Sequence, residues 1–138
     1  MIRSSVAALL APVLVAGCAQ MAANTQGPLQ PQTVSGPCQV ERFLLLDQRS
    51  VPVKMSVVNS GEACSFLIFN PALNLTLTAA LISGPASHGR AEAAVVNTGR
   101  QVGVRYTPAP GYAGPDRFAV TWFPFGSGIT VDVAVTPR

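Results

Sequence analysis

The stretch that decides the fold is "YTPAPGYAGPDRFAVTW", which runs from Tyr106 to Trp122. Its first part is rich in Pro and Gly, and its end alternates apolar and polar residues. Proline lacks the N–H that a central strand needs, and glycine permits the positive φ of a tight turn. A period of two is typical of a strand with one buried face. The stretch therefore predicts a crossing between two sheets followed by a strand that buries Phe118, Val120 and Trp122.

Each polar or special residue of the crossing has a predicted task. Pro108 is expected to prevent ladder pairing and to hold the crossing extended. Gly111 and Gly114 are expected at positive φ where the chain turns back. Asp116 is expected to accept backbone N–H groups in the turn, and Tyr112 is expected to pack over the corner.

Short apolar runs bounded by turn signals extend in both directions from this stretch. The run 90–97 is rich in Ala and Glu, which favour a helix, but its length and its neighbours favour a strand. Such spacing indicates an all-β sandwich or barrel, and we predict a single antiparallel β-sandwich of about seven to eight strands. The predicted strands are 40–46, 51–57, 64–69, 73–81, 90–97, 100–107, 117–122 and 129–135.

The C-terminal half resembles the bacterial Ig-like and cadherin-like repeat domains of surface proteins. The resemblance covers residues 83–137, whereas residues 38–82 match no named pattern. It implies an Ig-like sandwich over 38–138 that serves structure or contact. Some cadherin-like relatives bind calcium, but the acidic residues here are isolated and no D-x-D occurs, so no metal is expected. The matching elements are "SGPASHGRAEA", then Tyr106 and Pro108, then Gly111, Tyr112, Gly114, Asp116 and Phe118, and finally "ITVDVAVTP".

The N-terminus has the pattern of an export signal. One positive side chain, Arg3, precedes an apolar run over 6–16 that is too short to span a bilayer. The run ends in "LVAGC", which resembles the bacterial lipobox and implies a signal peptide over 1–17 and a lipid on Cys18. Ala19 rather than Asp follows, which implies the outer membrane by the rule for enteric lipoproteins. The alternative is a plain secretory signal that happens to carry a cysteine.

Residues 18–37 contain no charge and few large apolar side chains, so we predict a flexible linker there. If Cys18 carries the lipid, Cys38 and Cys64 remain. An even remainder in an exported chain favours a disulfide, with two buried free thiols as the alternative. The bridge would stabilise the fold by about 3–4 kcal/mol in the chain-entropy model.

Catalytic and cofactor chemistry lacks candidates. The net charge is +3 without a basic patch, so nucleic-acid binding is not expected. His88 is the single histidine, and no zinc, nucleophile or phosphate-loop motif occurs. The loop "WFPFGSG" (122–128) offers Phe123 and Phe125 as candidate binding aromatics, and the favoured alternative is that they fold over the end of the sandwich.

We therefore expect a non-enzymatic, lipid-anchored protein of the bacterial envelope, on the periplasmic side or at the surface, without a cofactor. Its partners are the membrane, through the lipid, and an unidentified envelope protein or glycan. Two alternatives from other classes remain open. One is an envelope lipoprotein that inhibits a hydrolase such as a protease or lysozyme. The other is a carbohydrate-binding module that uses the Phe123 and Phe125 loop.

Overall fold

The computed structural model describes residues 29–46, 49–69 and 76–138. The predicted signal peptide and the predicted lipidation site at Cys18 lie outside these residues. Within them the chain forms nine strands, β1 (Thr33–Ser35), β2 (Cys38–Val40), β3 (Ser50–Asn59), β4 (Cys64–Phe69), β5 (Ala79–Gly84), β6 (Gly89–Val96), β7 (Gln101–Pro108), β8 (Gly114–Phe123) and β9 (Ser127–Pro137).

The strands of the described residues form two sheets. One has the order β1-β4-β7-β6, and the other has the order β2-β3-β9-β8-β5. The prediction of an all-β sandwich is confirmed. No helix in the described part of the chain is long and apolar enough to cross a membrane.

The core lies between the sheets and follows the period-two pattern of the sequence. Along β8, Phe118, Val120 and Trp122 are buried as predicted, while Arg117 and Phe123 are exposed. The same alternation holds in the other long strands, because successive side chains point to opposite faces of a sheet. Their buried residues include Val51, Val53, Met55 and Val57 in β3, Val102, Val104 and Tyr106 in β7, and Ile129, Val131, Val133 and Val135 in β9.

One strand pair differs from the antiparallel prediction. β3 and β9 run parallel, in register from Ser50 opposite Gly128 to Asn59 opposite Pro137. The remaining strand pairs of the described residues are antiparallel. Alternation has the same period in both orientations, so the sequence pattern carries no information on strand direction.

The N-terminal part of the domain is the second difference. The predicted linker 18–37 extends too far, because Thr33–Ser35 forms β1 and pairs with β4. Upstream of it, the backbone of Gln30 exchanges hydrogen bonds of 2.8 and 2.9 Å with Phe43. An edge strand pairs through its backbone and needs no apolar side chains, so composition did not reveal it.

Two predicted strands are shorter in the structure. In the predicted strand 40–46, ladder pairing ends at Val40, and the chain then continues irregularly with an isolated bridge between Phe43 and Gln30. In the predicted strand 73–81, regular pairing begins at Ala79, and residues 70–75 lie outside the described residues.

The predicted disulfide is confirmed. Cys38 of β2 and Cys64 of β4 are bonded, with a Cα–Cα distance of 5.7 Å. The two strands belong to different sheets, so the bond ties the two layers together. Cys64 is fully buried, so the bridge is part of the core.

Candidate functional site

Two sheet crossings meet at one end of the sandwich. The first, residues 85–88, leads from β5 to β6, and the second, residues 109–113, leads from β7 to β8. Each passes between the two sheets, and Gly89 lies opposite Pro108 where β6 and β7 meet the crossings. We call the side chains gathered here the Asp116 corner; its members are Ser87, His88, Tyr106, Tyr112 and Asp116.

Asp116 is the centre of this corner. Its side chain is buried, with 8% of the residue exposed. Each of the two carboxylate oxygens accepts two hydrogen bonds. Oδ1 accepts from the N–H groups of Ser87 and Arg117, each at 2.9 Å. Oδ2 accepts from the N–H of His88 at 3.1 Å and from the hydroxyl of Tyr106 at 2.8 Å. One carboxylate therefore joins the first crossing, the end of β7 and the start of β8.

The electrostatics of the corner favour the ionised carboxylate. Burial by itself raises the pKa of Asp116, but the hydrogen bonds from Tyr106, Ser87, Arg117 and His88 lower the pKa further than burial raises it. Burial also raises the pKa of Tyr106, and the hydrogen bond to Asp116 and the negative charge of Asp116 add to this shift. The pair is thus a carboxylate and a neutral phenol at neutral pH.

Tyr106 explains why a glycine follows His88. The Tyr106 ring is fully buried and stacks on Phe118, with ring centroids 5.6 Å apart. A Cβ placed on Gly89 would lie 2.7 Å from the Tyr106 ring and 2.7 Å from the Thr107 carbonyl oxygen. Only a residue without a side chain fits at this close approach. Gly89 therefore allows the first crossing to lie against the tyrosine that donates to Asp116.

The outer layer of the Asp116 corner is formed by two stacked aromatic rings and by a side-chain amide from β3. The His88 and Tyr112 rings are parallel, with centroids 4.2 Å apart, and the Tyr112 hydroxyl donates to the Pro115 carbonyl. The side-chain amide of Asn59 donates to the carbonyls of Ala109 and Tyr112, each at 2.9 Å. These contacts fix the second crossing, in agreement with the predicted packing of Tyr112 over the corner.

The structure agrees with most of the predicted roles in the crossing. Gly111 and Gly114 have φ of 75° and 139°, in the region where glycine is favoured. Asp116 accepts backbone N–H groups, as predicted. Pro108 differs from the prediction, because it is the buried last residue of β7 and pairs with Gly89. A proline is tolerated there because the bonds around this pair use the N–H of Ala109 instead, which donates to the His88 carbonyl at 2.9 Å.

Sequence reasoning missed the donors from the first crossing. Ser87 and His88 contribute through their backbone, which no residue type encodes. Gly89, directly after this crossing, is the residue whose type indicates a close approach. Asn59, which caps the second crossing from β3, also escaped prediction, because its partners lie 50 and 53 positions away in sequence.

The candidate aromatic loop divides into two environments. Phe123, the last residue of β8, is 39% exposed. Phe125 is half-buried and packs against the core. The two rings therefore do not form one exposed pair, because Phe123 is exposed and Phe125 packs against the core.

The rest of the described surface offers a shallow groove beside the corner. It has a volume of about 750 Å³ and follows the outer face of β6 and β7, where Arg90, Glu92 and Arg105 line it. Two arginines and one glutamate line the groove, so charges of both signs are present. Within the described residues, no three His, Cys, Asp or Glu side chains gather in a metal-binding arrangement.

The Asp116 corner holds segments of the backbone together and is poorly suited to proton transfer. A carboxylate with a lowered pKa and four donors is a weak proton acceptor, and a buried phenol with a raised pKa is a weak proton donor. No family model matches the chain, and no curated protein is similar enough to count as a relative. The proposals on function therefore rest on the sequence and on this geometry.

Proposed function

We propose that the chain is a non-enzymatic, lipid-anchored module of the bacterial envelope, with an Ig-like sandwich that serves structure or protein–protein contact. The observation that carries the proposal is the state of Asp116. Among the described residues, Asp116 is the acidic residue whose side chain is buried. Its four hydrogen bonds come from three backbone N–H groups and from the hydroxyl of the buried Tyr106. A group used in this way supports a rigid scaffold.

The disulfide supports the proposed location. Disulfides form and persist in oxidising compartments, such as the bacterial periplasm and the cell surface. Cys38 and Cys64 are bonded, which leaves Cys18 as the cysteine that the lipobox pattern assigns to the anchor. A single acyl chain binds a membrane marginally, and two or more chains anchor a protein stably.

The N-terminal contacts limit the length of the proposed tether. Among the described residues, the backbone pair nearest the N-terminus involves Gln30, so we take residues 19–29 as the connection between the proposed anchor and the sandwich. If this segment has the flexibility that its composition predicts, it would span roughly 17–20 Å on average. The sandwich is therefore expected to lie close to the bilayer surface.

The anchor is tested by metabolic labelling with an alkyne analogue of palmitate. We expect label on the mature wild-type protein and none on Cys18→Ser. The double variant Cys38→Ala/Cys64→Ala is the matched control, and it should keep the label because it leaves Cys18 in place. An unlabelled wild-type protein, or label that survives Cys18→Ser, would contradict the proposed anchor.

The contact function is tested by crosslinking in intact envelopes followed by purification of the tagged protein. We expect a discrete set of crosslinked envelope proteins. Binding to purified cell-wall glycan that Phe125→Ala abolishes would instead identify a carbohydrate-binding module. Inhibition of a purified periplasmic hydrolase would identify an inhibitor. The packing of Phe125 against the core gives the glycan alternative less support than the contact function.

A further inference from the structure

The four sheet edges of the described residues differ in how they are protected against pairing with another chain. β1 and β2 have three residues each. β5 has a register shift between Ile82 and Gly84. Short strands and irregularities are common ways of blocking an open edge. Three of the four edges therefore carry a recognised form of protection.

β6 differs from these three edges, because the one such feature that it carries is the exposed pair of charged side chains, Arg90 and Glu92, on its outer face. It pairs with β7 without a register shift from Gly89 to Val96 and lies at the edge of its sheet. It contains no proline, and its inward residues, Ala91, Ala93 and Val95, are uncharged and only half-buried. A long, regular edge without an inward charge is a template for a further strand.

The hydrogen bonds of the β6–β7 pair show which backbone groups remain open. The Ala109 N–H donates to the His88 carbonyl, so Gly89 and Pro108 form a non-hydrogen-bonded pair. Antiparallel pairs alternate, so the even-numbered residues from Arg90 exchange bonds with β7. Residues 89, 91, 93 and 95 therefore direct their N–H and C=O groups to the open edge.

We propose that β6 is a self-association edge, on which a second copy of this chain pairs antiparallel about a twofold axis at Ala91. The open groups of residues 89, 91 and 93 then meet the same groups of the second copy in roughly six hydrogen bonds. Arg90 of each copy faces Glu92 of the other. These are non-hydrogen-bonded pairs, in which opposing Cβ atoms approach to about 4.5–5.5 Å.

The charges select this register. Arg90 and Glu92 lie on the outer face as an ion pair of 2.9 Å, with side chains 80% and 46% exposed. An axis at Glu92 would place Glu92 opposite its own copy, and an axis at Arg90 would oppose two arginines. An axis at Ala93 would pair both charges with apolar residues. Like charges directly opposite destabilise a strand pair, and opposite charges stabilise it.

The length of the overlap sets the strength of the interaction. The N–H groups of Ser87 and His88 bond to Asp116, so the chain turns away before Gly89 and limits the overlap to residues 89–93. An overlap this short buries less than the ~800 Å² per partner of a standard interface. We therefore expect a dimer that dissociates on dilution. The inference goes beyond the proposed function and does not depend on lipid anchoring.

The register is tested by site-specific crosslinking of the full chain, purified in detergent. Arg90→Cys carries one tag and Glu92→Cys carries another, and the two proteins are mixed and mildly oxidised. We expect a disulfide-linked product with both tags, because these positions face each other across the axis. Each variant alone should crosslink much less, since like positions lie on a diagonal of about 7–8 Å. The wild-type chain gives the background from its native cysteines.

Charge reversal provides the second test, which is read out as the dimer dissociation constant in a dilution series by light scattering. Arg90→Glu places an acidic side chain opposite Glu92 of the other copy on both sides of the axis, while Arg105 of β7 remains beside Glu92, and it should weaken the dimer about tenfold or more. The double swap Arg90→Glu/Glu92→Arg restores opposite charges and should restore the dimer. Its matched control, Arg117→Asp/Asp132→Arg, swaps an exposed ion pair on the other sheet and should leave association unchanged.

The inference is overturned if the wild-type chain stays monomeric at every concentration and the mixed variants do not crosslink. It is equally overturned if Arg90→Glu and the double swap dimerise alike. Crosslinking of β6 only to an extended segment of another protein would reassign the edge to that partner. The labelling experiment on Cys18 gives its result independently of all these outcomes.

Discussion

Gln30 and Asp116 are two buried polar side chains that secure opposite ends of the same strand pair. β4 and β7 pair from Cys64 opposite Tyr106 to Phe69 opposite Gln101. Asp116 accepts from Tyr106 at one end of this pair. At the other end, the side-chain amide of Gln30 both donates to the Phe69 carbonyl and accepts from its N–H, each at 3.0 Å.

The two residues solve the same problem with different chemistry. Gln30, with 0% of its surface exposed, uses a neutral amide that supplies one donor and one acceptor, as a neighbouring strand would. Asp116 supplies only acceptors and gathers four donors around a negative charge. The difference teaches that a neutral amide suffices to extend a ladder, whereas the N–H groups drawn from separate segments to one point in this chain converge on a charged group. The two ends should therefore differ in energetic weight and in pH dependence.

The largest loss of stability is expected at the end of the strand pair that Asp116 secures. Asp116→Ala leaves three N–H groups and the Tyr106 hydroxyl without their acceptor, and we expect a loss of about 3–5 kcal/mol in the free energy of unfolding. Urea denaturation measures this loss. The control is Asp132→Ala, which removes an exposed ion pair with Arg117 and should cost at most about 1 kcal/mol. Equal losses of unfolding free energy in the two variants would show that the four hydrogen bonds of Asp116 do not stabilise the fold more than an exposed ion pair does.

A smaller loss of stability is expected at the end of the strand pair that Gln30 secures. Gln30→Ala leaves the N–H and C=O of Phe69 without their side-chain partner, and we expect a loss of about 1–3 kcal/mol. The backbone bonds of Gln30 with Phe43 persist in this variant. Gln32→Ala is the matched control, because the Gln32 side chain is exposed and donates only to the nearby Leu29 carbonyl. A loss as large as that of Asp116→Ala would remove the distinction between the ends.

The smallest effect is the pH dependence that distinguishes the charge from the amide. The pKa of Asp116 is lower in the folded than in the unfolded state, so its stabilisation is present above the unfolded pKa and is lost as pH falls through the folded pKa. Below about pH 4, the difference in unfolding free energy between wild type and Asp116→Asn should therefore narrow, by at most about 1.4 kcal/mol per pH unit. Denaturant titrations across the acid range measure it.

The cost of Gln30→Ala should stay constant over the same range, because an amide does not titrate there. A cost of Asp116→Asn that also stayed constant would show that the charge of Asp116 contributes nothing specific. The ionisable side chain that touches the carboxylate is Tyr106, whose pKa is raised, so it stays neutral throughout the acid range.

The two ends also differ in how well the sequence predicted them. Asp116 lies in a Pro- and Gly-rich turn that leads into a clear alternating strand, so its role as an acceptor followed from local chemistry. Gln30 lies in a charge-free segment with little apolar content, which predicted a flexible linker. Its partner, Phe69, is 39 positions away, and nothing in the local pattern marks that contact.

The sequence by itself determined the features that depend on local periodicity and on residue chemistry: the all-β class, the buried faces of β3, β7, β8 and β9, and the positive φ of Gly111 and Gly114. It favoured a bond between Cys38 and Cys64 over two free thiols, and the tertiary structure decided for the bond. Only the tertiary structure decided the features that depend on which segments meet. These are the parallel pairing of β3 and β9, the donors that converge on Asp116, the contact of Gln30 with Phe69, and the position of β6 at an open edge. The physical reason is that period-two alternation fixes which side of a strand is apolar, whereas strand order, direction and backbone hydrogen-bond partners depend on the whole chain.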